Sequence, residues 1–284
     1  MTRIKNVLLT IEYDGTDFSG WQRQPGLRTV QGELERVLSI LCRFPVTIDG
    51  TGRTDAGVHA LGQRATFRGD FGIPVGRIPA AANDLLAPGR QKRGDIRIIS
   101  AEEMPAEFHA RHSAIAKTYL YRIYNQEHMP VFLRNYRYPV ERRLDLRAMR
   151  EAARCFTGTR DFRSFMTDAA AYDGSTVKTI YAAEVSGDGN DVTFAVTGSG
   201  FLYNMVRIMT GTLVDVGTGK IAPAEIDRIL ASGTRAAAGH TAPPQGLYMA
   251  EVYYSAEERE KGIARYRDAA AWEKGSLYAE SSDR

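Results

Sequence analysis

What most constrains this chain is the order of its periodic segments, which is the same in both halves. In the first half, an apolar strand at Val7–Tyr13 leads into a turn-rich stretch from Asp14 to Arg28 that contains Gly15, Gly20, Gly26 and Pro25. Thr29 is a residue suited to capping a helix, and after it Val30, Leu34, Val37, Leu38 and Leu41 fall on one helical face. A short strand at Val46–Ile48, a glycine-rich loop and an alternating strand around Gln63–Phe67 are expected next. Ile78, Ala82, Leu85 and Leu86 then predict a helix closing near Gly89, and Asp95–Ser100 predicts a strand.

The second half repeats the sequence of elements. Thr118–Tyr124 reads as a strand, and a helix is expected from a cap at Asp145 through Leu146, Met149, Ala153 and Phe156 to Gly158. Strands at Val177–Val185 and Val192–Val196 flank the hairpin signal Gly187-Asp188-Gly189-Asn190. Met205, Ile208, Met209, Leu213 and Val216 share a helical face, with Gly217 placed to cap its end; a short helix near Pro223 and a strand at Leu247–Tyr253 follow. The order βαββαβ is the ferredoxin-like, or split βαβ, arrangement. The expectation is therefore an α+β chain of two such domains, over 1–104 and 105–255, then a peripheral helix and polar tail over 256–284. The duplication lies in element order alone, with no residue-level repeat.

With 43% hydrophobic and 25% charged residues among 284, the chain suits an ordinary globular fold. Lys plus Arg exceed Asp plus Glu by only 37 to 34, so any nucleic-acid role must come from local clustering. Cys42 and Cys155 make no C-x-x-C pair, which argues against a zinc site or disulfide framework and for a reducing, cytoplasmic setting. The apolar run Val7–Ile11 is far too short to span a membrane. His59, His109, His112, His128 and His240 form no H-x-x-x-H spacing, and no metal is expected.

Chemistry concentrates in Thr51–Ala60, where Asp55 sits between Gly52 and Gly57 in a loop flanked by strands. The glycines let the backbone turn tightly and a substrate approach, and Arg53 favours an ionised carboxylate. On local grounds alone Asp55 reads as a turn residue paired with Arg53 for structural reasons. The loop lacks G-x-x-x-x-G-K-[ST], which disfavours a phosphate-binding P-loop. From His109 to Gln126, Arg111, Lys117 and Arg122 interleave with Tyr119, Tyr121 and Tyr124, a pattern suited to phosphate contact and base stacking or simply to a solvated basic sheet face.

Gly52-Arg53-Thr54-Asp55-Ala56-Gly57-Val58-His59-Ala60 resembles the signature of the tRNA pseudouridine synthase A family. Further similarity is found at Tyr13-Asp14-Gly15-Thr16, Gly20-Trp21-Gln22-Arg23-Gln24, Thr29-Val30-Gln31-Gly32, Phe108-His109-Ala110-Arg111 and Lys117-Thr118-Tyr119. It continues through Gly200-Phe201-Leu202-Tyr203-Asn204-Met205-Val206-Arg207, Thr241-Ala242-Pro243 and Gly246-Leu247-Tyr248, in family order from about Tyr13 to Tyr254.

The resemblance implies two ferredoxin-like domains sharing a central antiparallel sheet with helices on one face, a homodimer and no cofactor. It implies isomerisation of uridine to pseudouridine in the anticodon arm of tRNA, at positions 38, 39 and 40. By the same resemblance Asp55 is the nucleophile or base, Arg207 its basic partner, and Tyr119 the group lying against the uracil. Arg53 would contact the RNA and help prop out the target base, Leu247 would wall the pocket, and Arg111 and Lys117 would bind substrate. The chain departs from the family pattern in the long basic stretch Gly89–Gly94, with Arg90, Lys92 and Arg93, in Leu120 where arginine is common, and in His240 where proline is common. Two rival functions share these features. One is an RNA-binding module without catalysis; the other is a glycoside hydrolase, which would need a second carboxylate as acid.

Overall fold

The computed structural model describes residues 4–87, 94–187 and 190–267. Most of the basic stretch at Gly89–Gly94, the tip of the predicted hairpin at Asp188-Gly189, and the tail over 268–284 lie outside the described residues. In chain order the elements are β1 (Lys5–Tyr13), α1 (Val30–Cys42), β2 (Asp49–Gly50), β3 (His59–Gly69), α2 (Ile78–Leu86) and β4 (Ile96–Met104). Then come β5 (Ala116–Tyr124), β6 (Tyr138–Pro139), α3 (Leu146–Arg154), β7 (Gly158–Asp161), β8 (Val177–Gly187), β9 (Asp191–Gly198), α4 (Met205–Gly217), α5 (Glu225–Ser232), β10 (Leu247–Tyr253) and α6 (Ala256–Arg267). They make two compact units, each α+β. The first runs to Ile115 and takes in Tyr248–Tyr254; the second holds Ala116–Leu247 and the chain from Ser255. The division falls after Ile115 rather than after 104, and nearly all of β10 is grouped with the first unit.

In the first unit β1 lies between β4 and β3, antiparallel to both. The far edge of β3 is divided. β2 pairs antiparallel with it at Asp49↔Thr66 and Gly50↔Ala65, and β10 runs parallel to its start at Tyr248↔His59 and Met249↔Ala60. The order β4-β1-β3-β2 is that of a ferredoxin-like unit. Gly62 permits the approach of β10, because a Cβ there would lie 2.6 Å from the Ala250 carbonyl oxygen.

Helix α1 starts as its sequence indicates. Thr29 is extended, with φ −133°, and its Oγ1 accepts the Gly32 N–H. Val30, Leu34, Val37 and Leu38 are all fully buried. The strand expected at Val46–Ile48 does not form. Side chains of α1 take that segment's backbone groups: Val46 N–H donates to Ser39 Oγ, Ile48 N–H to Glu35 Oε1, and Gln31 Nε2 donates to the Ile48 carbonyl. Ladder pairing begins only at Asp49.

The second unit carries the antiparallel order β5-β9-β8-β7, with the short β6 parallel to β5. Asp145 caps α3, its Oδ1 accepting from the N–H groups of Arg147 and Ala148. The helix stops at Arg154, short of the expected Gly158, which instead opens β7 with φ 102°. Gly217 is not the C-cap of α4 but its last residue; a Cβ there would come within 2.8 Å of Met149 Sδ and 2.9 Å of Leu144 Cδ2. Glycine serves close helix packing at this position, and Thr218 takes the cap. From Val192 to Gly198 every residue of β9 is buried, so both faces of that strand are covered. The C-terminal α6, expected to be peripheral, packs on β5, β8 and β9 and buries Ile263 and Tyr266.

Candidate active site

Five of the distant motifs converge in the first unit on the loop between β2 and β3. Thr51 ties its start to β3, both its N–H and its Oγ1 donating to the Arg64 carbonyl. Gln63 Nε2 donates to the Gly52 carbonyl at 2.9 Å, and Trp21 N–H donates to the Thr54 carbonyl at 3.0 Å. Val58 N–H closes a turn on the Asp55 carbonyl at 3.1 Å, with Gly57 in the left-handed region at φ 77°. Gly15 N–H donates to Nδ1 of the buried His59, whose ring stacks on Tyr248 at 4.7 Å. Trp21 is anchored in turn by Gln31 N–H at the start of α1. The motif at Phe108–Arg111 docks on the same sheet, where Ala110 N–H donates to Thr66 Oγ1 and Phe108 packs on Tyr254.

Thr54 is therefore buried while Asp55, next to it, is half-buried at the loop's turn. Arg53 is exposed and makes no hydrogen bond or ion pair with a described residue. The Arg53–Asp55 pair needed by a purely structural reading of the loop is not formed, and the guanidinium is available to a ligand. Arg111 is likewise exposed, on the turn that follows His109.

In the second unit the remaining candidates sit on β5, on α4 and at the start of β10. Every residue of α4 is buried except Arg207. Arg207 Nε donates to the Ala242 carbonyl at 2.7 Å, its Nη1 to Asn204 Oδ1 at 2.8 Å, and Ala242 N–H returns to the Arg207 carbonyl. Asn204 holds a left-handed backbone, φ 60°, just ahead of the helix, and its Nδ2 donates to Thr167 Oγ1. Two motifs far apart in sequence thus meet at one guanidinium, held as a rigid fork. Tyr119 on β5 is 8% exposed and meets Phe201 edge-on at 5.0 Å. Lys117, two residues earlier on the same strand, is half-buried, and Leu247 is buried.

The interleaved basic and aromatic stretch is not one open face. Tyr121 is fully buried, its hydroxyl donating to the Pro243 carbonyl at 2.6 Å, and Arg122 is buried as well. Burial raises the Tyr121 phenol well above its ordinary value, with the Arg207 charge pulling the other way.

Comparison with known proteins agrees with the motifs. A family model described as tRNA pseudouridine synthase matches residues 9–113 and 152–255. A protein of Bacillus subtilis named tRNA pseudouridine synthase A is 47% identical over 249 residues, covering 86% of this chain and 97% of its own. One of Caldicellulosiruptor bescii with the same name is 44% identical over 251 residues, covering 88% of this chain and all of its own. The chain belongs to the tRNA pseudouridine synthase family.

The structure brings Asp55 and Arg53 together on one loop of this family member, and it sets Tyr119 and Lys117 on one strand. It also reveals supporting residues that the sequence left unassigned: Tyr13, Gln63 and Trp21 behind the Asp55 loop, and Asn204 and Ala242 around Arg207. Asn204 carried a usable signal, since asparagine is among the few residues that tolerate a left-handed backbone. Among the described residues no group of three or more His, Cys, Asp or Glu side chains is arranged to hold a metal ion, and no helix is long and apolar enough to cross a membrane.

Proposed function

We propose that this chain isomerises uridine to pseudouridine in the anticodon arm of tRNA, at positions 38 to 40, with Asp55 as the group that starts the reaction. The observation carrying most weight is the intact Asp55 loop, anchored to β3 and to Trp21, in a chain 47% identical to a protein named tRNA pseudouridine synthase A. The reaction breaks the N1–C1′ bond, turns the uracil, and joins C5 to C1′ while the C5 proton is lost and N1 gains one. Asp55 starts it by attacking C1′ or by removing a neighbouring sugar proton, and either route needs an ionised carboxylate. Arg207 and Tyr119 are the other catalytic groups, the Tyr119 ring stacking on uracil and its oxygen, once it has given up its own proton, taking the C5 proton.

Arg53 reaches the RNA and helps hold the target base out of its stack, and an exposed guanidinium with no partner among the described residues supports that role. Leu247, Arg111 and Lys117 complete the substrate contacts. Substrate and product are isomers with the same heavy atoms, and one proton leaves C5 as one is gained at N1, so the chemistry calls for no redox or group-carrying cofactor. A homodimer in the cytoplasm completes the proposal. The test is to incubate the protein with unmodified tRNA and map pseudouridine, beside Asp55→Ala and Asp55→Asn. Free uracil released from the RNA would favour a hydrolase, and tRNA binding without product would favour a binding module.

A further inference from the structure

The backbone of the Asp55 loop is already well held. Gly52 accepts from Gln63, Thr54 from the Trp21 N–H, and Asp55 from Val58. A second tie is added through side chains: Tyr13 of β1 and Thr54 share a hydroxyl–hydroxyl hydrogen bond of 2.7 Å. Both groups are buried, with Tyr13 3% and Thr54 8% exposed. The bond is not needed for backbone satisfaction. A phenylalanine and a valine of the same shape would fill the space without the cost of desolvating two hydroxyls. What the polar pair adds is direction, because a hydrogen bond fixes the rotation of Thr54 where apolar packing would let it slide. Thr54 is bonded to Asp55, so its orientation sets the peptide from which the carboxylate projects. Gly20 closes the third side; a Cβ there would lie 2.7 Å from the Thr54 carbonyl oxygen.

We propose that Tyr13 and Thr54 are positioning residues for Asp55, aligning its carboxylate with the sugar through a buried hydroxyl pair that spans β1 and the loop. The inference rests on Asp55 being the reacting group. Misplacing a catalytic group by about 1 Å slows the chemical step while leaving binding intact.

The test compares Thr54→Val, Thr54→Ser, Tyr13→Phe and the double variant Tyr13→Phe/Thr54→Val with Asp55→Asn, using single-turnover rates at saturating tRNA, tRNA affinity and melting curves. Thr54→Val and Tyr13→Phe are expected to slow the single-turnover rate by roughly ten- to a hundred-fold. Their tRNA Kd should stay within about twofold of the parent, because the loss falls on the transition state alone. Thr54→Ser, which keeps the hydroxyl, should recover most of the rate. The double variant should be no slower than the slower single one, since both changes break the same bond. Parent rates in folded Thr54→Val and Tyr13→Phe, beside an inactive Asp55→Asn, would overturn the positioning role and leave the nucleophile standing; so would additive losses, or a Kd that weakens in step with the rate. Activity in Asp55→Asn would instead remove the nucleophile and this inference with it. Should Thr54→Val not fold, Tyr13→Phe, which keeps the ring in the core, decides alone.

Discussion

Arg53 and Tyr13 bracket the Asp55 loop with opposite physics. Arg53 is exposed and uncommitted among the described residues, so its removal costs the fold little. Arg53→Gln is therefore expected to leave the melting temperature unchanged, weaken tRNA binding, and reduce the salt dependence of that binding by about one unit of log-log slope. Filter binding across a salt series checks it, and an unaltered slope would remove Arg53 from the RNA contacts. Tyr13 is fully inside. Burial pushes its phenol well above its ordinary value of 10.0, only partly offset by hydrogen bonds with Thr54 and Gln63, and Tyr121 is shifted the same way. Above pH 10 the unfolded phenols lose protons first. The stabilisation is thus fully present below pH 10 and is lost as pH rises toward the raised folded values. Denaturant midpoints should fall from about pH 10 upward, and Tyr13→Phe should flatten that fall; a fall of equal steepness in the variant would contradict it.

At the scale of elements, Gly217 is the position where sequence and structure assign different jobs to one residue. Its place after an apolar helical face suggests a cap, but it is inside α4, against Met149 and Leu144. Gly217→Ala should therefore destabilise the protein by about 1–3 kcal/mol through overpacking, although alanine is the better helix former. Chemical denaturation checks the sign; a stabilised variant would mean that the contact relaxes freely. Elements were legible where local signals were complete. α1 had both cap and face, and β10 occupies the span Leu247–Tyr253 read from its apolar run. They were illegible where tertiary partners decide: Val46–Ile48 looks like a strand but is bonded by α1 side chains, and β7, Gly-Thr-Arg-Asp, has no apolar alternation yet pairs with β8 at the sheet's edge. On β5, period and composition could not show that Tyr121 and Arg122 are both buried.

Over the whole molecule, a net charge of only +3 gives no broad field for RNA, so recognition must be local, as exposed arginines such as Arg53 and Arg111 allow. The residues proposed for the site come from motifs, where the residue type itself carries the signal. Their supports were not, because hydrogen bonds such as Tyr13–Thr54 and Arg207–Ala242 join positions 41 and 35 residues apart. The central claim is that the Asp55 carboxylate performs the chemistry. It is tested most directly by pseudouridine mapping on unmodified tRNA treated with the parent protein or with Asp55→Asn. The parent should form pseudouridine in the anticodon arm without releasing uracil, and Asp55→Asn should form none while still binding tRNA and melting as the parent does. Pseudouridine formed by the folded Asp55→Asn variant would contradict the assignment.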